Sequence, residues 1–568
     1  MSDVKPGPFQ RSLGASAVGT PPQIFNFVLF LGTMIFGILG AARGFDEGNV
    51  SGMLASPNFK SLFGLDPKKN SAQEIADTKG NIAGMVQLCS IGGAFIAFAI
   101  TDRIGRVWAL RQLCVLWIGG VMLQIFAQNL GMLYAGRALA GLGIGQTTVV
   151  GPTYLVEVAP RQIRGLCSGM FSGSVYLGIM LAYFANYGSS LYQTGRVRWQ
   201  IPITLQVMFA GMALVLSIFA IESPRFLIMK GKHEQAAKNL SKLRGLPIEH
   251  EFMQSEIATI TEALEKERAI MSGRTLSGRI FEIVGTHSNR FRLIGVGIMI
   301  QLLGQWSGAN SITIYAPEYF ALLGIRGTET KLLATAVFGI VKLVSSLVCA
   351  FFLIDRIGRK RSLYIGVGLQ TLSMLYIAAF LTAAPEISDE SSISSSHSAT
   401  VKNASVVGVI CIYINGFGWA MGYNSIQYLI NTEIFPLHLR SLSASIIMAV
   451  HFANQYGNSK SVPAMLLPTS EGGAGPAGTM WFFVVICTLG LVYIFFFLPE
   501  TGGYTLEEME DIFNFPWWQI GRKSKNMRKT GDLPRSTGDN ESVVVDYEKS
   551  EGQHVETMSV HSNDKARR

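Results

Sequence analysis

The sequence predicts an all-α membrane protein with twelve membrane-spanning helices in two pseudo-symmetric six-helix bundles, joined by an intracellular helical linker. Three observations predict it. Of 568 residues 49% are hydrophobic and 15% charged, with 61 glycines and a mean hydropathy of +0.33, too apolar for a water-soluble chain. Apolar runs of roughly twenty residues, enough to cross a bilayer, occur six times, stop at a charged stretch, and occur six times more. Short motifs after particular runs of the first set recur at equivalent places in the second.

Residues 1–23 are polar and lack the charged, apolar and cleavage regions of a signal peptide, so they read as a cytosolic tail. The first six spans are expected at 25–45, 80–101, 108–128, 131–156, 165–187 and 201–221, giving an N-terminal bundle over 24–221. Residues 222–291 are charged, and the spacing of Ile257, Ile260 and Leu264 fits short amphipathic helices of a soluble linker. The second set is expected at 292–322, 330–354, 361–383, 404–434, 441–467 and 479–498, a C-terminal bundle over 292–498. Residues 499–568 form a charged, serine-bearing tail, expected to be largely disordered and cytosolic.

Lysine and arginine fill the linker and the loops after the second and eighth runs, with Arg103, Arg106 and Arg111 in one and Arg356, Arg359 and Lys360 in the other. By the positive-inside rule both termini are cytosolic. The serine-rich 384–402 stretch then lies outside, next to the sequon Asn403-Ala404-Ser405. The net charge of +9 therefore reflects topology and implies no nucleic-acid partner. Six cysteines inside apolar runs show no paired spacing, which suggests neither a disulfide framework nor a metal or cofactor site. No nucleophile elbow or P-loop suggests an enzyme.

The repeats are specific. Asp102-Arg103-Ile104-Gly105-Arg106 recurs as Asp355-Arg356-Ile357-Gly358-Arg359, and Glu157, Pro160 and Arg164, with Arg161 between, match Glu433, Pro436 and Arg440. Glu222 and Arg225 close the first set as Glu500 closes the second. Such cytosolic clusters read as inter-helix charge networks that latch the inward side shut, or more simply as topology signals. The seventh run, Gln301 to Phe320, carries Gln305, Asn310, Gly308 and Pro317, and polar side chains within a bilayer usually face a cavity or partner. It is the candidate substrate segment.

GFDEGNVSG (44–52), the two DRIGR motifs, GRALAGLGIG (136–145), EVAPRQIRG (157–165), ESPRFL (222–227) and LPETGGYTLEEMEDIF (498–513) together cover about residues 25–515. In these the chain resembles a sugar porter of the major facilitator superfamily, of the fungal type. The resemblance implies the major facilitator fold and alternating access between two six-helix domains. It also implies that Asp46, on the first helix, and Arg137, on the fourth, couple transport to protons, although a permanent salt bridge between them is the alternative.

The departures from the family pattern fall where the family contacts sugar. Its paired glutamines are Gly304 and Gln305 here, its fifth-helix glutamine is Ser172, its tenth-helix tryptophan is Tyr428 beside Asn424 and Gln427, and an eleventh-helix glutamine is His451. Arg43 stands at a usual aromatic position, and Lys342 stands near a usual asparagine. An unpaired cation at membrane depth costs at least about 2.5–3.5 kcal/mol. Either Arg43 pairs with Glu47 and Lys342 snorkels, or a substrate carboxylate compensates both.

The expectation is a monomeric, proton-coupled plasma-membrane importer of an acidic monosaccharide such as galacturonate. Gln305, Asn310, Gln427, Ser172 and His451 would bind the hydroxyls, and Tyr428 would pack on the ring. A quinate-type hydroxy acid or a neutral hexose is the alternative substrate, and a non-transporting nutrient sensor the alternative class.

Overall fold

The computed structural model describes residues 21–500 apart from 25, 161–162, 272–274, 354–356, 389–398, 425, 428–429 and 431–433, together with 512–513, 515 and 520. The first half forms α1 (Phe27–Ala55), α2 (Ala72–Ile104), α3 (Arg106–Ile125), α4 (Leu130–Val158), α5 (Arg164–Tyr192) and α6 (Val197–Leu216). Four linker helices follow: α7 (Pro224–Met229), α8 (His233–Arg244), α9 (Glu251–Met271) and α10 (Leu276–Gly285). The second half contains α11 (Met299–Gln305), α12 (Ala309–Ile314), α13 (Ala316–Leu322), α14 (Thr328–Val348), α15 (Arg359–Ala383), α16 (Ala399–Trp419), α17 (Leu437–Met465) and α18 (Gly475–Phe496). Eight described helices are long and apolar enough to cross a membrane. The chain is a multi-pass, all-helical membrane protein, because a helix satisfies its own backbone polar groups inside lipid.

Side-chain caps set several starts. Asn26 accepts from Leu29 N at α1, Asn129 from Met132 N at α4, and Ser71 with Glu74 forms a reciprocal capping box at α2. Hydropathy misplaced more than one end: the second span was expected to begin at 80, yet α2 begins at Ala72, and the first was expected to stop at 45, yet α1 continues to Ala55 through buried Asp46, Asn49 and Ser51. Polar residues there face helical neighbours rather than lipid, so they do not end the helix. The 292–322 run, expected as one span, is instead a π-helical turn, Phe291–Ile298, followed by the three short helices α11, α12 and α13. The sequon residue Asn403, expected beside an outer loop, is exposed near the start of α16.

Helices of the first half pack mainly on each other, as α1 on α5 and α2 and α3 on α4. The halves meet where α2 crosses α17 and α5 crosses α14. At the first crossing a Cβ on Gly80 would lie 2.6 Å from the Lys460 carbonyl oxygen, so only glycine permits this approach.

The repeated motifs build the same local structure twice. Gly105 (φ 98°) ends α2, and the Glu222 carboxylate then accepts from Arg106 N and Val107 N at 2.9 and 3.1 Å. Gly358 (φ 91°) precedes α15, and Glu500 accepts from Arg359 N and Lys360 N at 3.1 and 3.2 Å. Each carboxylate thus satisfies the orphan N–H groups at a helix start. Burial pushes the Glu222 carboxyl above its ordinary range, and the N–H donors of Ser223, Arg106 and Val107 pull it back.

Around Glu222, Arg106 pairs with Glu157 at 2.7 Å and Asp102 at 3.0 Å, and Ser223 Oγ donates to Glu157 at 2.5 Å. Arg225 pairs with Glu267 inside the linker at 2.8 Å, Arg440 donates to the Phe435 carbonyl, and Arg103 is exposed. Arg161, Asp355, Arg356, Glu433 and the Arg164 side chain lie outside the described residues. Among the described residues, the pairs of Arg106 with Glu157 and Asp102 and of Arg225 with Glu267 join α2, α3, α4 and the linker, and none of these three bridges the halves. At the opposite end two do: Lys79 with Glu318 at 2.6 Å and Lys460 with Asp77 at 2.9 Å.

Glu222→Ala strips two helix-start N–H groups of their acceptor and is expected to cost about 1–3 kcal/mol. The thermal midpoint of the purified protein should fall, while Arg103→Ala, at an exposed side chain, should leave it unchanged.

Candidate substrate site

The break in the seventh segment makes the site. α11 stops at Gln305, Gly308 takes a left-handed φ of 88°, and Tyr315 separates α12 from α13. Ser307 and Ser311 hydroxyls donate to the Gly304 and Gly308 carbonyls, both at 2.8 Å, and satisfy acceptors that the break frees. Tyr315 and Trp306 tie the segment to α17, through the Ser459 carbonyl at 2.7 Å and Asn454 at 3.2 Å.

A row of buried amides results. His451 Nδ1 lies 2.8 Å from Gln301 Oε1 and 3.2 Å from Gln305 Nε2, and one ring nitrogen serves only one of them at a time. Gln455 Nε2 donates to Asn310 Oδ1 at 3.2 Å. Gln301 Nε2, Gln305 Oε1, Asn310 Nδ2 and Gln427 Oε1 are buried without a hydrogen-bond partner among the described residues. Such orphans are costly unless something completes them. Gly304 is tightly packed: a Cβ there would lie 3.1 Å from Tyr423 Cδ1 and 3.2 Å from Gln427 Oε1, so the family's second glutamine would press both side chains aside.

The two cations rest on aromatic faces. The Arg43 guanidinium carbon lies 5.6 Å from the Phe452 ring centre, and no ion pair joins it to Glu47, although both are described and one helical turn apart. Lys342 does not snorkel; it is 2% exposed and donates to Thr313 Oγ1 at 2.5 Å. The rings of Phe338 and Tyr176 stand 5.3 and 5.4 Å from its ammonium, the cation–π distance that offsets part of its desolvation. Tyr176 is itself held by Asn424 at 2.7 Å and Trp419 at 2.8 Å. Ser172 is half-buried on α5, one turn before Tyr176, and Tyr428 lies outside the described residues.

Asp46 and Arg137 are 3% and 1% exposed, and no salt bridge joins them. Arg137 Nη1 reaches Gln124 Oε1 at 3.5 Å, while its Nε and Nη2 and Asp46 Oδ1 have no hydrogen-bond partner among the described residues. A permanent pair is therefore not what the structure holds. Arg43, Asp46, Glu47, Gln87 and Gln455 line one cavity of about 10 Å³, room for about one water.

Sequence reasoning missed Gln301, Gln455, Thr313 and Tyr176. Helical spacing offered a signal for three of them: Gln301 precedes Gln305 by four residues, Gln455 follows His451 by four, and Tyr176 follows Ser172 by four. Thr313 carried none.

The profile described as "Sugar (and other) transporter" matches residues 32–513. The chain belongs to that family. It is thus a transporter and not an enzyme. Curated relatives include proteins described as probable quinate permeases, from Neosartorya fischeri (29% identical over 546 residues, 95% of this chain and 97% of the relative) and Aspergillus fumigatus (29% over 506 residues, 88% and 90%). Among solved structures, the proton:xylose symporter XylE bound to 6-bromo-6-deoxy-D-glucose shares 23% identity at a TM-score of 0.69, over 86% of this chain and 99% of that one. A partially occluded inward-open XylE from E. coli gives 20% and 0.68, over 84% and 100%. At that identity the likeness establishes the fold. The all-helical major facilitator architecture expected from the motifs is therefore present in this family member.

Gly304→Gln, which restores the family's paired amide, collides with Tyr423 and Gln427. Overpacking of this kind costs about 1–3 kcal/mol, so the purified variant should melt earlier than the parent and should not gain hexose uptake.

Proposed function

We propose that the protein is a proton-coupled transporter of a polyhydroxylated ring bearing one carboxylate, a quinate-type hydroxy acid ahead of the galacturonate-like sugar that the sequence alone favoured. The observation that carries this reading is the pair Arg43 and Lys342, sited on aromatic faces with no ion pair among the described residues, beside four orphaned amide atoms. Ring hydroxyls complete the amides, and a carboxylate neutralises the cations; Arg43 has the fork geometry for two parallel bonds. Ser172, Gln427, His451 and Tyr428 complete the proposed pocket. The quinate-type acid ranks first because the relatives that span nearly the whole chain carry that description.

Asp46 is the proposed proton carrier. A buried carboxylate with no ion-pair partner binds its proton according to how near the Arg137 guanidinium stands, which ties protonation to conformation. Two six-helix bundles, 24–221 and 292–498, rock about the site in a plasma membrane with both termini cytosolic, and the 222–291 linker couples them. The Arg106–Glu157–Glu222 and Glu500 clusters stiffen the proposed inner face.

A charge-assisted hydrogen bond contributes about 1.5–3 kcal/mol, so Arg43→Ala should weaken uptake of the acid by about tenfold to a hundredfold at unchanged surface expression. Retained affinity would remove Arg43 from carboxylate binding. Asp46→Asn should keep substrate exchange and lose accumulation, measured as protonophore-sensitive uptake of labelled quinate in yeast; undiminished concentrative uptake takes Asp46 out of the proton path. Binding without any carriage by the parent protein would favour a nutrient receptor.

A further inference from the structure

We propose that Glu47 fixes the number of carboxylates the site accepts, admitting ligands with one and rejecting ligands with two. This rests on the carboxylate reading of Arg43 and Lys342 and adds to it a residue that discriminates.

Glu47 is half-buried on α1 and lines the same cavity as Arg43, Asp46 and Gln455. It lies one turn from Arg43, yet the guanidinium is turned onto Phe452, so no ion pair within reach consumes its charge. It is also within electrostatic reach of Lys342 and Tyr183. Those two groups converge on one residue, since Tyr183 donates to the Thr313 carbonyl at 2.7 Å while Lys342 donates to the Thr313 hydroxyl. Glu47 therefore shares a cavity with Arg43 and is ion-paired with neither cation.

The charge count follows. Before Asp46 takes up its proton, Arg43 and Lys342 bring two positive charges and Glu47 removes one, while ionised Asp46 and Arg137 offset each other. One positive charge is left for the ligand. A monocarboxylate neutralises it, whereas a second carboxylate leaves the buried site with an uncompensated negative charge and stands against Glu47 itself. Without the Glu47 charge, the two cations match two carboxylates.

The test is competition against labelled quinate by an aldaric acid, galactarate, near neutral pH, where both carboxyl groups are ionised. Comparing variants cancels the difference in ligand shape. A unit charge roughly 10 Å away at an effective dielectric near 20 alters affinity by about tenfold. Glu47→Gln should therefore bring the half-inhibitory concentration of galactarate, relative to unlabelled quinate, down by about that factor, and Glu47→Asp should keep the parent ratio. Ligand-induced thermal stabilisation of purified protein reads the same ratio should uptake be lost in a variant. An unchanged ratio in Glu47→Gln overturns the role of Glu47. Failure of the parent protein to take any carboxylated polyol overturns the carboxylate reading, and this inference with it.

Discussion

The cost of placing charge inside a bilayer governs the structure. Every ionisable group between the helices must find a counter-charge, a polar cradle or an aromatic face, because water is absent to solvate it. At one end Arg106 takes the first solution, paired with Glu157 and Asp102, while Glu222 spends its charge on backbone N–H groups. At the centre Lys342 takes the other two, a hydroxyl and two rings. Arg43 has a ring, Arg137 has a long contact to Gln124, and Asp46 has an unpartnered oxygen. Charge is settled at the ends and left unsettled in the middle. That gradient separates scaffold from working site.

The same logic explains the broken seventh segment. A continuous helix would hide its backbone and present side chains at fixed intervals. Interruption at Gln305, Gly308 and Tyr315 lets Gln305 and Asn310 turn toward α17, where His451 and Gln455 meet them. The serine hydroxyls at 307 and 311 keep the break from costing unsatisfied carbonyls. On the other side, the two ion pairs Lys79–Glu318 and Lys460–Asp77 join the halves at the end remote from Glu222 and Glu500. Half-exposed pairs of this kind are worth about 0–1 kcal/mol each, weak enough to open and close.

Much of this was legible in the sequence because the signals are local. The helical class follows from the apolar runs, and DRIGR, ESPR and PET mark charged ends that read in sequence as inter-helix networks, whereas Glu222 and Glu500 accept from helix-start N–H groups. Gln305 and Asn310 stood out as polar residues in an apolar run, and Arg43 and Lys342 as departures from the family pattern. What each cation does was not legible. The ring under Arg43 comes from α17, and the Lys342 enclosure draws Tyr176 from α5 and Thr313 from α12, contacts that only the packed helices create. The end of α1 was misread for the same reason, since a polar residue facing a neighbouring helix looks in sequence like one facing water. Lys460 carried no reading until Asp77 was found beside it.

The most direct test of the account is counterflow in vesicles reconstituted with the purified protein, with labelled quinate outside and unlabelled quinate, galacturonate or glucose loaded inside. If the cations of the site await a carboxylate on a hydroxylated ring, quinate should drive strong accumulation of label, galacturonate should drive some, and glucose should drive none. Accumulation driven by glucose as well as by quinate would mean that Arg43 and Lys342 are satisfied by the protein's own aromatic and hydroxyl groups, and that the site recognises hydroxyls alone.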